Sequence, residues 1–343
     1  MSNPEKIIYI SIAVIVGLVV IYFLYLSVIY LAVNRKINRR YDNNPLLKYF
    51  TADDFNDLNA ESFSFKTKNN KTLRGYIYSS SQVTNFARVI IFFHGIGAGH
   101  QAYTKEINRL VKDNNLAVLA YDNLGCGQSD GRNIKDVSWA LVDATYFLRY
   151  LKQNPRFKNS ELIVIGHSWG GLVAGNIISL NPNSNITRVV VLNGLANIVE
   201  LSTRYTKAKF AAKYFYRFVS WLKLGRFANH STLKTLKNHH VSALIAHGAR
   251  DKIIPLSYTK PLFDYAGKVS HIWPLIYPDH KHFVYLSNRA EDELMAMQKN
   301  LSVLAKQNDQ MALEAYTKTI DYDLIGQQND ELFATIKQFI IRG

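Results

Sequence analysis

Cysteine is nearly absent from this 343-residue chain: Cys126 stands alone. An intrachain disulfide, a cysteine-rich metal site and an N-terminal lipid-modified cysteine are therefore excluded. Acidic residues are scarce as well, 26 against 41 Lys and Arg, which leaves a formal net charge of +15. No internal repeat or low-complexity tract is present, and 48% hydrophobic with 13% aromatic residues excludes a disordered or collagen-like chain. The length admits about two domains, or one α/β domain of about 250 to 300 residues with a large core.

Charge is also missing where it matters most. Ile7 to Val33 is 27 residues without a charged side chain, against roughly 20 that a helix needs to cross a ~30 Å hydrocarbon layer. The reading is an uncleaved membrane anchor, with a removed signal peptide as the alternative. The run is long and ends in Asn34-Arg35-Lys36-Ile37-Asn38-Arg39-Arg40 rather than at a small-residue cleavage site. Four cations follow the helix, and only Lys6 with the N-terminal amine precedes it. That asymmetry predicts a single-pass cell-membrane protein whose following domain faces the cytoplasm.

The expected organisation is an N-terminal tail over 1–6, the anchor over 7–33, a basic connector over 34–60 and one folded domain over 61–343. Ser62 to Lys68 and Leu73 to Tyr78 read as a hairpin around Asn69-Asn70. Apolar runs then alternate with helical stretches: Val89–Phe93, a helix near Tyr103–Asp113, Leu116–Tyr121, a helix near Lys135–Lys152, Leu162–Ile165, a helix after Gly170, and Val189–Leu192. The pattern breaks between Ile198 and His240, resumes with Ala243–Ala246 and His271–Tyr277, and closes in helices. Such alternation predicts an α/β fold with a mostly parallel, helix-covered sheet.

Gly166-His167-Ser168-Trp169-Gly170 ends the apolar strand and opens a helix. That context suits a nucleophile elbow, in which small residues allow a tight turn that lifts a serine hydroxyl to the sheet edge at a helix N-terminus. The bland alternative is a Gly-rich turn that only lets helix and strand pack closely. A serine needs an imidazole to take its proton and a carboxylate to orient that imidazole. Asp251 follows the strand at Ala243, and the next strand is followed by Pro278-Asp279-His280-Lys281-His282-Phe283, which offers two histidines. An oxyanion needs two backbone N–H donors. Trp169, after the serine, supplies one, and Ile96 in His94-Gly95-Ile96-Gly97-Ala98-Gly99-His100 is the candidate for the other.

With these pieces in place the chain resembles the α/β-hydrolases of the serine-aminopeptidase-like and monoglyceride-lipase-like (lysophospholipase-type) group, from about Glu61 to Gly343. The matching motifs are the His94-Gly95 loop, Asp122-x-x-Gly125-x-Gly127-x-Ser129, the elbow at Ser168, Gly248-x-x-Asp251-x-x-x-Pro255 and the final histidine loop. The family often places its histidine four residues after a proline, so the resemblance points to His282 after Pro278, with His280 as the alternative base. Two departures stand out: Asn123 replaces a usual arginine, and Cys126 a frequent histidine. Cys126 reads as a packing residue.

Such enzymes carry a substrate-covering cap between the sixth and seventh strands, which here is 198–240. That segment holds nine cations against Glu200. On a helical wheel Phe210, Tyr214, Phe218 and Trp221, with Ala211, Phe215, Val219 and Leu222, fill about half the circumference. Lys209, Lys213 and Arg217 lie opposite. Either the helix only covers its own site, or it also touches anionic lipid.

The resulting expectation is a membrane-anchored serine hydrolase with Ser168, His282 and Asp251 as catalytic residues, acting on carboxylic esters of the acylglycerol or lysolipid type. A serine aminopeptidase or amidase is the alternative, and a non-catalytic lipid-binding or scaffold protein is the alternative of another class. His230, His239 and His240 lack partners for a metal, so no metal and no cofactor are expected. The charge concentrates beside the span and in the cap without a nucleic-acid-binding signature, so no nucleic-acid partner is expected either.

Overall fold

A computed structural model describes residues 3–97, 99–197 and 209–342. In chain order the elements are helix α1 (Asn3–Ile37), strands β1 (Asn59–Lys66), β2 (Thr72–Ser79) and β3 (Arg88–Phe93), α2 (Thr104–Asn114), β4 (Ala117–Tyr121), α3 (Trp139–Gln153), β5 (Glu161–His167), α4 (Trp169–Leu180) and β6 (Ile186–Leu192). They continue with α5 (Lys209–Leu224), α6 (Thr232–Asn238), β7 (Ser242–Gly248), α7 (Leu256–Ala266), β8 (Ile272–Tyr277), α8 (Asn288–Gln307), α9 (Gln310–Thr317) and α10 (Asp330–Arg342).

The eight strands form one sheet in the order β1-β2-β4-β3-β5-β6-β7-β8. The hairpin β1–β2 and the β2–β4 pair are antiparallel, and every pair from β3–β4 onward is parallel. Alternate side chains of each central strand enter different layers. Leu162 and Val164 of β5 pack with Phe147 of α3 and Leu172 of α4, while Ile163 and Ile165 pack with Ile107 of α2 and Phe339 of α10. Burial on both faces explains why these strands read as continuous apolar runs.

The helix expected over 135–152 begins later, at Trp139. Lys135 has φ 60°, and Asp136 accepts the Ser138 N–H through its side chain and the Trp139 N–H through its carbonyl, so the preceding residues turn rather than coil.

The connector, expected as a basic segment over 34–60, is stitched to the domain near its start. The Arg40 guanidinium donates to the carbonyls of Gly127 (2.5 Å), Ser129 (3.0 Å) and Gly131 (2.7 Å). Tyr41 exchanges backbone hydrogen bonds with Gly125 and Gly127 and is buried.

Candidate active site

The elbow follows from steric crowding that only glycine relieves. A Cβ on Gly166 would lie 2.1 Å from the Gly170 carbonyl oxygen, and one on Gly170 would lie 2.0 Å from that of Phe93. Between them Ser168 takes φ 54°, ψ −112°, a conformation that side chains rarely adopt and that persists where the surroundings over-determine it. The hydroxyl is thereby presented beside the N-terminus of α4.

His282 Nε2 lies 2.9 Å from Ser168 Oγ, and its Nδ1 lies 2.8 Å from Asp251 Oδ2. A neutral imidazole protonated at Nδ1 satisfies both contacts, donating to the carboxylate and accepting from the hydroxyl. Asp251 also accepts the N–H groups of Ile253 and Ile254 and the Asn193 side-chain amide at 2.8 Å. Burial pushes its carboxyl upward, but the His282 contact, the Ile254 N–H and the Asn193 amide outweigh that and hold it below the ordinary carboxylate range.

His280, the other candidate, points elsewhere. Its Nε2 sits 3.2 Å from the Leu286 carbonyl and 3.2 Å from the Asn329 amide nitrogen.

The elbow histidine ties the site together. Gly95 N–H donates to the Tyr103 hydroxyl (3.0 Å), which lies 2.9 Å from His167 Nδ1, while His167 Nε2 lies 2.9 Å from the His282 carbonyl. One chain of hydrogen bonds thus joins the loop carrying Ile96, the elbow and the histidine loop. Burial drives the His167 pKa down to about 3, so the ring is neutral and serves as a connector.

The His94–His100 loop is braced from β4. Asn123 N–H donates to His94 Nε2 (3.1 Å), while His94 Nδ1 faces the Gly95 carbonyl at 2.7 Å. The Asp122 carboxylate accepts the N–H groups of His100 and Gln128 and meets His100 Nδ1 at 2.7 Å. Burial opposes its ionisation, yet His100 and these donors bring it to about 2. Asn123, a departure from the family pattern, thus contributes its backbone N–H, and its side-chain amide nitrogen also lies 3.3 Å from His94 Nε2. Cys126 is fully buried, and burial raises its thiol pKa, in keeping with packing. Trp169 is buried, with its indole N–H on the Val137 carbonyl (2.6 Å), whereas Ile96 is 39% exposed.

The first part of the expected cap, 198–208, lies outside the described residues. Phe210, Tyr214, Phe218 and Trp221 lie on α5 and are exposed. They pair with one another, Phe210 on Tyr214 and Phe218 on Trp221. The face this helix buries is centred outside the expected apolar half: Ala212 and Tyr216, with Ala211 and Phe215 beside them, pack on Leu26, Tyr22 and Tyr30 of α1. Phe215 meets Phe23 at 5.8 Å between ring centroids, Tyr216 meets Tyr30 at 5.4 Å, and Lys223 donates to the Tyr30 hydroxyl at 3.0 Å.

Sequence reasoning missed Asn193, Tyr103 and Glu291. Glu291 on α8 is buried, and its carboxylate accepts the Lys281 and Phe283 N–H groups. None of the three lies in a motif, and no spacing rule connects them to the site. Among the described residues no group of His, Cys, Asp and Glu is arranged to hold a metal ion.

The sheet order, the turn at Ser168 and the loops that converge on it define an α/β-hydrolase fold. The family model described as serine aminopeptidase, S33, matches residues 84–239, from the start of the parallel sheet through the cap. The Pyrococcus furiosus esterase Pf2001 superposes with a TM-score of 0.56 at 18% identity, covering 89% of this chain and 98% of the esterase. In sequence the chain is similar to protein bem46 of Schizosaccharomyces pombe, 23% identical over 228 residues, 65% of this chain and 72% of the relative. It is also similar to a proline iminopeptidase of Saccharolobus solfataricus, 27% identical over 195 residues, 56% of this chain and 59% of the peptidase.

Proposed function

We propose that the protein is a membrane-anchored serine hydrolase that cleaves carboxylic esters with apolar acyl chains, such as monoacylglycerols or lysolipids. The observation that carries this reading is the relay Ser168 Oγ, His282, Asp251, with contacts of 2.9 and 2.8 Å, on a strained turn at a helix N-terminus. In this mechanism Ser168 attacks the ester carbonyl as His282 Nε2 takes its proton. The Ile96 and Trp169 N–H groups hold the oxyanion, and the imidazolium, held by Asp251, protonates the departing alcohol. Water then attacks the acyl-serine by the same proton path, releasing the acid and restoring the hydroxyl.

A second reading, an aminopeptidase or amidase, is favoured by the matching family description and by the proline iminopeptidase relative. Labelling the full chain with a fluorophosphonate, in competition with esters, lysolipids and aminoacyl amides, decides between the two. Protection by lysolipids or acylglycerols supports the ester reading, and protection by aminoacyl amides alone supports the peptidase. Absence of labelling, or labelling that survives Ser168→Ala, overturns both.

In this reading α1 spans the bilayer. Its apolar residues, among them Ile10, Leu18 and Val28, are exposed, and the helix is long and apolar enough to cross. The cations Arg35, Lys36, Arg39 and Arg40 after the span support a domain on the cytoplasmic side. In the same reading the exposed aromatic stripe of α5, a helix packed on α1, rests on the membrane surface, with Lys213 and Arg217 available to anionic headgroups. A protease added to intact cells leaves the domain uncut if this orientation is right. Cleavage without permeabilisation reverses it.

A further inference from the structure

A cavity of about 310 Å³ lies between the connector, α2 and α8, outside the cap. Its walls include residues of the two loops that adjoin Ser168. On one side Ile96 and Gly97 lead into Gln101, Ala102 and Glu106; on the other Phe283, next to His282, leads onto Leu294 and Met297 of α8. The register of α8 explains the second wall: Glu291, which grips the histidine loop, stands one turn before Leu294 and nearly two before Met297, so one helix face serves both the loop and the cavity. Leu47 and Phe50 of the connector complete the lining.

Of the charged groups at this wall the two lysines are already engaged, and Glu106 is buried, which raises its carboxyl pKa to about 7. Lys105 donates to the Tyr322 carbonyl at 2.8 Å, Lys48 pairs with Asp54 at 3.0 Å, and both ammonium groups sit over the Phe50 ring at 4.4 and 4.5 Å. The Gln101 side-chain oxygen accepts from Asn43 at 2.9 Å. What remains for a ligand is chiefly the apolar surface of Leu47, Phe50, Phe283, Leu294, Met297 and Ile325.

We propose that this cavity receives the apolar acyl chain of the substrate ester, with the connector and α8 as its walls. The proposal rests on the hydrolase reading above and deepens it. At about 30 Å³ per small heavy-atom unit, the volume accommodates roughly ten such units, a chain of about eight to ten carbons. The space lies at the lower end of the range for ligand pockets. Because the wall at Leu47 and Phe50 belongs to the segment that leaves the anchor, a lipid chain rising from the bilayer meets the cavity beside the connector.

The test uses the full chain in lipid nanodiscs and p-nitrophenyl esters from acetate to dodecanoate. In the wild type kcat/KM rises by about fourfold per buried methylene and levels off near the decanoate. Leu294→Trp and Met297→Trp, which fill the space, lower kcat/KM for the decanoate tenfold or more through KM while the acetate changes less than twofold. Phe50→Ala, which opens the wall, moves the plateau to longer chains. Equal losses on short and long esters, or no loss on either, overturn the proposal. A direct arm separates its failure from that of the hydrolase reading: decanoic acid raises Tm in the wild type and in Ser168→Ala, but not in Leu294→Trp. If no ester is cleaved and this selective shift persists, the cavity assignment stands and the hydrolase reading falls. If esters are cleaved and the shift is absent, the cavity assignment falls.

Discussion

Glu291 brackets His282: its Oε2 accepts the Lys281 N–H at 2.7 Å and its Oε1 the Phe283 N–H at 2.6 Å, on the two sides of the imidazole. The carboxylate is buried, and a backbone gripped at both neighbours cannot carry its ring away from Ser168. With His167 on the His282 carbonyl and Asn193 on that of Lys281, this ties the loop to the folded core and holds the imidazole 2.9 Å from Ser168 Oγ.

Glu291→Ala therefore strands two buried N–H groups, each in a charge-assisted bond, and lowers stability by about 3 kcal/mol. In kcat the expected loss is about a hundredfold with little change in KM, because a displaced base misaligns chemistry rather than binding. Glu291→Gln, which keeps one acceptor, restores part of kcat. Ester kinetics beside thermal melts check this, and an unchanged kcat refutes the positioning role.

Separate alanine variants distinguish the two histidines. His282→Ala loses about 10⁴-fold or more in kcat, since it removes the group between Ser168 and Asp251. His280→Ala loses only its contacts with Leu286 and Asn329, keeps most of its activity and melts somewhat earlier. The reverse pattern in ester assays transfers the base role to His280.

Acid stability depends on His167. Burial lowers its folded pKa to about 3, whereas an unfolded histidine titrates near 6.5, so the unfolded chain takes up the proton first as pH falls. Its contribution is complete above pH 6.5 and is lost as pH falls from there towards about 3, at up to about 1.4 kcal/mol per pH unit. His167→Gln, which retains a donor and an acceptor, flattens this limb. Melts from pH 7.5 to 4.5 on both proteins read the difference, and parallel curves contradict the assignment.

The stitch at Arg40 predicts where the chain tolerates truncation. A protein starting at Asn38 loses the packing of α1 on Ala212 and Tyr216 but keeps the guanidinium on three carbonyls and the buried Tyr41, and melts well above one starting at Asn43. One starting at Asn43 exposes the turn over 122–131 and loses several kcal/mol, about 3 or more from buried tyrosine and hydrogen bonds together. Similar melting temperatures for the two would show the stitch to be superficial.

On α5, Lys213→Glu with Arg217→Glu reverses two cations that face the proposed headgroup layer, each worth about 1 kcal/mol at an anionic surface. Hydrolysis of substrate embedded in anionic vesicles falls well below that of a small soluble ester, and added salt narrows the gap. Equal losses on both substrates remove the membrane contact from the reading.

Most of the sheet was legible because its strands are buried on both faces and its helices carry amphipathic faces. Val89–Phe93 and Leu162–Ile165 appear as unbroken apolar runs within β3 and β5, and the turn at Ser168 announces itself through the glycines its crowded backbone demands. Helix α3 was expected four residues early, because a residue at positive φ and an Asx turn leave the apolar pattern intact while changing the backbone. The wheel of α5 showed an apolar half, whereas the face packed on α1 is centred on Ala212 and Tyr216 outside it, and Phe210 and Trp221 of that half face outward.

By itself the sequence determined the alternation of strands and helices, the uncharged run at the N-terminus and the chemistry-bearing residues at loop ends, because each depends on local spacing and composition. Only tertiary structure decided that His282 rather than His280 reaches Ser168, that Asn193 and Glu291 support that arrangement, and that Arg40 anchors the connector. These contacts join residues as far as 114 positions apart. Their partners are chosen by how the sheet's carboxyl-edge loops and α8 pack in space, and side-chain direction across such separations has no periodicity along the chain to betray it.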